Sequence, residues 1–330
     1  RAAIDDARDV CAAALGFDPH GIVFTSGGTE SDNLAIHGVC GAQGRAICPE
    51  TEHHAVLYPV EANNGRLIKV TETGDLDLEH FESMLDLDLS VISVMLVNNE
   101  SGRIIDLEPI ADLRDRYAPQ ALLHTDAVQA VNWLDVAVAA ERADMMSLSG
   151  HKFGAPKGVG VLAIRKQVGI TPQLLGGGQE AERRSGTHNT AGIVAFGTAI
   201  QCLHESRTSE IERLGKLSAR LADGLTAAIA GCSETVPRSQ RAAGLLQLVI
   251  EGIESEALLV LLERHDIMAS AAASCASGAM DPSHVLAAMG FEREAAAGSL
   301  RLSLGWRTED WEIDHALNFI PKCVDRKSTR

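Results

Sequence analysis

The stretch 143–162 reads ADMMSLSGHKFGAPKGVGVL and sets a lysine in an unusual place. Met145, Met146, Ser147 and Leu148 have the composition of a buried strand. The run breaks at Ser149-Gly150-His151-Lys152, and a Gly/Pro loop leads to a second apolar run, 158–164. Two readings of Lys152 stand at this point. One is a solvated loop lysine, the ordinary state of that side chain. The other is a Schiff-base lysine that holds a carbonyl cofactor.

Other segments carry chemistry of their own. Phe24 to Ser31 (FTSGGTES) passes from a strand through Gly27 and Gly28 into a helix. Backbone N–H groups at that helix start, with the Ser26 and Thr29 hydroxyls, would cradle a phosphate; the alternative is a capping box of Thr29 with Asp32. The spacing is neither a Walker A loop nor G-x-G-x-x-G, which disfavours a nucleotide. His53 and His54 stand at a helix start, and adjacent histidines point apart, so they make a poor metal pair. A structural role is their default, and stacking of one of them on a flat ligand is the alternative.

Asn98 and Asn99 end an apolar run in VNNESG, as ligand contacts or as a plain turn. Asp126, in HTDAVQ (124–129), follows a strand and would lie at the base of a pocket, where a buried acid needs a cation. A protonated ring nitrogen or an arginine would serve. The segment 183–189, RRSGTHN, is either an anion site or a surface charge pair. Cys275 differs from the six other cysteines in lying within a Ser/Ala/Gly loop, SAAASCASGAMDP, where an exposed thiol could act as a nucleophile. Arg301 interrupts a strand pattern and could clamp a carboxylate with both its N–H arms. A phosphate cradle, a stacking histidine, an acid for a ring nitrogen and a strand-end lysine together compose a pyridoxal-phosphate (PLP) site.

Strand-like runs at 21–25, 45–48, 66–70, 91–97, 121–125, 143–148 and 158–164 alternate with helical stretches such as 29–39, 76–85 and 108–117. That alternation predicts an α/β domain with a mostly parallel sheet and ligands at the carboxyl ends of its strands. The texture changes beyond residue 193. Residues 193–230 are helix-periodic, and strands at 245–250 and 300–304 follow with helices at 255–263, 283–289 and 310–319. We expect a large domain over 1–208 and a smaller α+β domain over 209–330.

Of the 330 residues, 45 are acidic and 29 basic, a formal charge of -16, which argues against nucleic acid or an anionic membrane as the main partner. No apolar run approaches the roughly 18 residues of a membrane span, so a soluble chain is expected. Seven scattered cysteines without a C-x-x-C pair suit a reducing, cytoplasmic setting, and no metal site is expected. The start, RAAIDDARDV, reads as the middle of a helix rather than a signal or transit peptide.

FTSGGTESDNLAIHG, TEHHAV, VNNESG, HTDAVQ, SLSGHKFGAPKGVG, GGGQEAERRSGTHN, the Cys275 loop with PSHVL, and SLRLSLG together resemble the cysteine desulfurases of the NifS/IscS kind. These belong to the class V aminotransferase family, and the resemblance spans nearly the whole chain. It implies the PLP-dependent transferase fold type I, with a seven-stranded sheet. Lys152 looks like the lysine that binds PLP, and His53 like the ring-stacking histidine. Asp126 would bond the pyridinium nitrogen and Gln129 the ring hydroxyl. Gly28, Thr29, Ser149 and His151 would hold the phosphate, with Thr187 from the other subunit of a homodimer. Asn99 and Arg301 would bind the carboxylate of L-cysteine. Cys275 matches the persulfide-forming cysteine of the long-loop subgroup.

The implied reaction converts L-cysteine to L-alanine and passes sulfur to an acceptor protein, for Fe–S clusters, tRNA thiolation or DNA phosphorothioation. Other readings are a selenocysteine lyase or another PLP-dependent amino-acid lyase, and a catalytically idle scaffold for sulfur-transfer partners. Two features depart from the family pattern. The N-terminal segment with its AATT-like residues is absent, and the loop reads AASC where the family has GSAC.

Overall fold

The computed structural model describes residues 2–271 and 283–328. Its contacts divide the chain into two units. The first comprises Arg1–Lys69, Leu76–Val97 and Ile105–Arg207; the second comprises Val70–Asp75, Asn98–Ile104 and Thr208–Arg330.

The first unit is built on one sheet. Its strands are β1 (Ile22–Thr25), β2 (Arg45–Pro49), β3 (Arg66–Ile68), β4 (Leu89–Ser93), β5 (Leu122–Asp126), β6 (Met145–Ser149) and β7 (Gly160–Ile164). They lie in the order β1-β7-β6-β5-β4-β2-β3. β7 runs antiparallel to both its neighbours, and the β6-β5-β4-β2-β3 pairs are parallel. The seven strand-like runs of the sequence are thus seven strands of one mostly parallel sheet. Their continuous apolar character follows from burial on both faces; β5 and β6, for example, are buried almost throughout.

Helix Gly28–Cys40 covers β1, β6 and β7 through Leu34 and Ala35, which pack on Val23, Met145, Leu162 and Ile164. Its other flank, Ile36 and Cys40, meets Val56, Leu57 and Val60 of helix His54–Ala62 above β2. Burying one Leu- or Val-sized side chain contributes about 1.5–3 kcal/mol, so this helix is well anchored and its first turn is a rigid place to hold a ligand.

The second unit carries an antiparallel sheet in the order β10-β9-β8, from β8 (Cys232–Glu234), β9 (Leu245–Ile250) and β10 (Ser299–Ser303). Val249 packs with Val236, Val285, Leu286, Met289 and Ala296. Helix Thr190–Ala228 is one uninterrupted element of 39 residues where periodicity allowed one or two. No helix among the described residues is long and apolar enough to cross a membrane.

Candidate active site

Sheet register brings the polar segments of the first unit level with one another. Thr25 of β1 and Ser149 of β6 are both opposite Gly160 of β7, so the two strand ends flank one residue. That residue has to be glycine. A Cβ on Gly160 would stand 2.6 Å from the Gly27 Cα. The helix that follows β1 starts at Gly28, with Gly27 as its cap at φ 156 and no side-chain capping bond. The capping box of Thr29 with Asp32 therefore does not form: Thr29 is already inside the helix. A Cβ on Gly28 would meet Val128 at 2.9 Å, and one on Gly27 would face the Ser149 Oγ at 3.6 Å. Glycine here lets the helix start close to the β5 and β6 ends with its first N–H groups uncapped by side chains, which is the form of an anion cradle.

Asp126 closes β5, two residues before the level of Ser149, and is buried. Its Oδ1 accepts the Val128 N–H at 2.8 Å. Among the described residues no arginine pairs with it, which removes that alternative; the cation acting on it is Lys152. Burial raises the Asp126 carboxyl above its ordinary value, against the Val128 bond and Lys152. Gln129 is half-buried in the turn after β5. Lys152 ends the one-turn 3-10 helix Gly150–Lys152 after β6, and its carbonyl accepts from the Asn132 amide at 2.9 Å. The Ser149 hydroxyl and the His151 Nδ1 are 3.0 Å apart. Burial and the neighbouring Lys152 and Lys157 lower the His151 pKa, so the ring is neutral at pH 7.

The two histidines separate as adjacent histidines should. His53 is exposed and caps helix His54–Ala62, its Nδ1 accepting the Ala55 N–H at 3.1 Å. His54 stacks on Tyr58 with ring centres 5.0 Å apart. Thr187 lines a cavity of about 90 Å³ with Ser26, Gly158, Arg184 and Asn189. The arginines of RRSGTHN are engaged rather than free for an anion: Arg184 pairs with Glu30 at 2.8 Å, and Arg183 donates to the His20 and Glu180 carbonyls.

In the second unit, the asparagines divide their work. Asn98 Oδ1 makes the turn, accepting the Glu100 and Ser101 N–H groups at 3.0 and 2.9 Å. Asn99 Oδ1 is buried and has no hydrogen-bond partner among the described residues. The Asn99 carbonyl accepts Arg301 Nη1 at 2.9 Å, so the two expected substrate residues are bonded to each other. Cys275 lies outside the described residues. The six described cysteines are free thiols. Burial pushes Cys11 up to about 12 and Cys40 and Cys232 up to about 11, so none of these three is a ready nucleophile.

Sequence reasoning gave Asp32 only a capping role and passed over two further buried acids, Glu52 and Glu180. Asp32 sits on the apolar face of its helix, and Glu52 directly precedes the histidine pair; both are fully buried. Burial raises each well above its ordinary value, with Asp126 adding to the effect. Asp32 Oδ1 is 3.7 Å from the His124 Nε2, but burial lowers His124 to about 3, so that ring is neutral. The third acid, Glu180, follows the GGGQ run. It receives Arg8 Nη1 and Nη2 at 2.9 and 2.8 Å, the Phe24 N–H at 2.9 Å and His188 Nε2 at 2.7 Å. Glu180, Ala181 and Glu182 all have positive φ, at 51, 54 and 66, a conformation that costs a non-glycine residue roughly 1–2 kcal/mol. The signal for these acids was an acid within an apolar pattern, Asp32 most plainly.

Three comparisons agree with this geometry. Residues 1–315 match the family described as Aminotransferase class-V. The cysteine desulfurase IscS of Clostridium botulinum (strain Hall) is 38% identical over 98% of this chain and 84% of its own length. The chain belongs to the class V aminotransferase family. Its likeness there is to the cysteine desulfurases: the IscS of Methanosarcina thermophila is 39% identical over 98% of this chain and 82% of that protein. A solved structure titled NifS-like protein superposes with a TM-score of 0.91 at 31% identity, covering 98% of this chain and 88% of that one. The fold expected from the resemblance, PLP-dependent transferase type I with a seven-stranded sheet, is the fold found.

Proposed function

We propose that the chain is a PLP-dependent cysteine desulfurase that converts L-cysteine to L-alanine and keeps the sulfur as a persulfide on Cys275. The observation that carries the cofactor reading is Asp126, a buried carboxylate at a strand end with no arginine partner among the described residues. Such a group is costly unless a cation joins it, and a protonated pyridine nitrogen is a cation of the right shape. The glycine-lined helix start, with Gly28 and Thr29, and the Ser149–His151 pair fit a phosphate. Lys152 fits the role of the covalent anchor.

When bound, PLP supplies an electron sink for the bonds at the substrate Cα. Asp126 would keep the ring nitrogen protonated, Gln129 would bond the ring hydroxyl, and His53 would stack on the ring. Lys152 Nζ would move protons at the substrate carbons. Asn99 and Arg301 hold the substrate carboxylate, Arg301 by paired N–H donors. The Cys275 thiolate attacks the substrate sulfur. An S–S bond forms, the substrate C–S bond breaks, and the carbon takes a proton, which leaves alanine and a Cys275 persulfide. We place the enzyme in the cytoplasm as a homodimer in which the partner subunit's Thr187 completes the phosphate contacts. Its persulfide goes to an acceptor protein of an Fe–S or thio-modification pathway.

The test is purified protein reconstituted with PLP and given L-cysteine. Visible absorbance of bound PLP, alanine release and a protein persulfide are expected; Lys152→Ala should lose covalent PLP, and Cys275→Ala should keep PLP and lose the persulfide. Alanine formation by Cys275→Ala at the wild-type rate would remove Cys275 from the mechanism. Turnover of selenocysteine without turnover of cysteine would replace the proposed substrate.

A further inference from the structure

We infer that Glu180 is a positioning residue for the phosphate of PLP, acting through two segments it ties together; the inference rests on the cofactor reading above. Its carboxylate is buried and takes donors from three parts of the chain. Phe24 N–H, at 2.9 Å, belongs to β1 one residue before Thr25, so it fixes the strand end that runs into Ser26, Gly27 and Gly28. His188 Nε2, at 2.7 Å, fixes the residue next to Thr187. Arg8 reaches both carboxylate oxygens, at 2.9 and 2.8 Å, from helix Ala2–Leu15 and also donates to the Ile22 carbonyl, so it braces β1 a second time.

The cradle start and the Thr187 segment share one cavity, and Glu180 is part of its wall. One side chain thus sets the distance between two phosphate-binding segments, one of which serves the partner subunit in the proposed dimer. The backbone supports this assignment. Glu180, Ala181 and Glu182 hold three successive left-handed conformations without a glycine among them, two residues on from Gly178, which is left-handed too. A turn held so far from its relaxed form is kept by its surroundings, and such turns gather where a group must be aimed. Here the turn aims the Glu180 carboxylate inward at Phe24 N–H.

The carboxylate is held in its charged form. Burial works to raise its pKa, and the bonds from Arg8, Phe24 and His188 outweigh burial and leave it below its ordinary value. A neutral amide at this position can accept but cannot balance the Arg8 guanidinium, so Glu180→Gln loosens the brace without changing its shape.

The experiment is a titration of resolved apoprotein with PLP and, in parallel, with pyridoxal, which lacks the phosphate. Bound aldehyde is read from its absorbance, and folding from circular dichroism. Glu180→Gln is expected to weaken PLP about tenfold, the loss typical when a residue that orients a ligand's contacts is removed. Pyridoxal, which keeps the Lys152 and ring contacts and lacks only the phosphate, should bind as it does to the wild type. His188→Gln, which keeps the Arg8 and Phe24 bonds, should shift the same ratio by a smaller factor, and it decides the question if Glu180→Gln does not fold. A wild-type ratio of PLP to pyridoxal affinity in the folded variants overturns the inference, as does an equal loss of both ligands, which marks a purely structural role. Failure of the wild type to bind PLP is a different result, because it overturns the cofactor reading itself.

Discussion

Two buried carboxylates in the same unit have opposite surroundings. Glu180 is saturated: two guanidinium arms, a backbone N–H and a histidine converge on it, and its pKa falls below the usual carboxylate value. Asp126 is comparably buried, yet its recorded hydrogen bond is to a single backbone N–H, and its pKa rises. Asp126 in turn raises its buried neighbours Asp32 and Glu52, and the opposing influences on it are the Val128 bond and Lys152. The difference teaches what each is for. A carboxylate whose bonds are complete within the chain holds the fold together; one left short of positive charge at a strand end is shaped for a cationic ligand.

Paired isosteric substitutions break this comparison most sharply. Asp126→Asn removes the charge meant for the ring nitrogen, and loss of one partner from a buried ion pair costs about 3–5 kcal/mol. If the whole of that is felt in the transition state, turnover falls roughly 10²- to 10⁴-fold. The apoprotein should lose little, because the uncompensated charge opposed folding. Glu180→Gln should behave inversely, lowering the apoprotein stability by about 3 kcal/mol and its Tm by roughly 4 °C. Steady-state alanine release and calorimetry of both apoproteins check the pair. An Asp126→Asn apoprotein that melts as early as Glu180→Gln would show that the two acids do the same job.

Much of this contrast was out of reach of the sequence. Lys152, Asp126 and the 24–31 segment were legible because they end strands whose apolar runs are continuous, and the sheet order then makes them neighbours. Asn98 and Asn99 read alike in sequence, and only the turn geometry makes one a structural acceptor and leaves the other's Oδ1 without a partner among the described residues. Thr29 with Asp32 has the spacing of a capping box, but Gly27 and Gly28 start the helix two residues too early for it. The role of Glu180 depends on Arg8, 172 residues away, and on three left-handed residues that no propensity would assign to Glu-Ala-Glu. Periodicity reports which face of an element is apolar; it does not report which distant charge a buried acid will meet.

Acidity sharpens the same comparison through stability. The Glu180 pKa lies below the ordinary 4.5, so its contribution is present above that value and is lost as pH falls through the folded value. Asp126, Asp32 and Glu52 have raised values, so their sign is opposite: protonated they favour the folded chain, and that advantage is lost as pH rises through their folded values. The apoprotein should therefore gain stability as pH is lowered from neutrality towards 5, then lose it in acid as Glu180 protonates. PLP should flatten the first limb, since its ring cation makes ionised Asp126 favourable. Melting curves of apoprotein and PLP-loaded protein between pH 4 and 8 measure both limbs. Identical first limbs in the two forms would separate Asp126 from the cofactor.

The finest test is Asp32→Asn. Asp32 is fully buried, its Oδ1 has no hydrogen-bond partner among the described residues, and the nearby His124 ring is neutral. Ionised, it would gain little from its surroundings and would press on Asp126. An amide keeps the shape and the Ser147 contact that favours the aspartate, while removing a charge that burial resists. The change in stability at neutral pH should stay within about 1 kcal/mol and have a stabilising sign. Its more telling effect should be on the pH limb, which Asp32→Asn should shorten because one of three proton-binding acids is gone. If the limb keeps its full height, Asp32 binds the same number of protons folded and unfolded across that range, and Asp126 and Glu52 alone answer to pH.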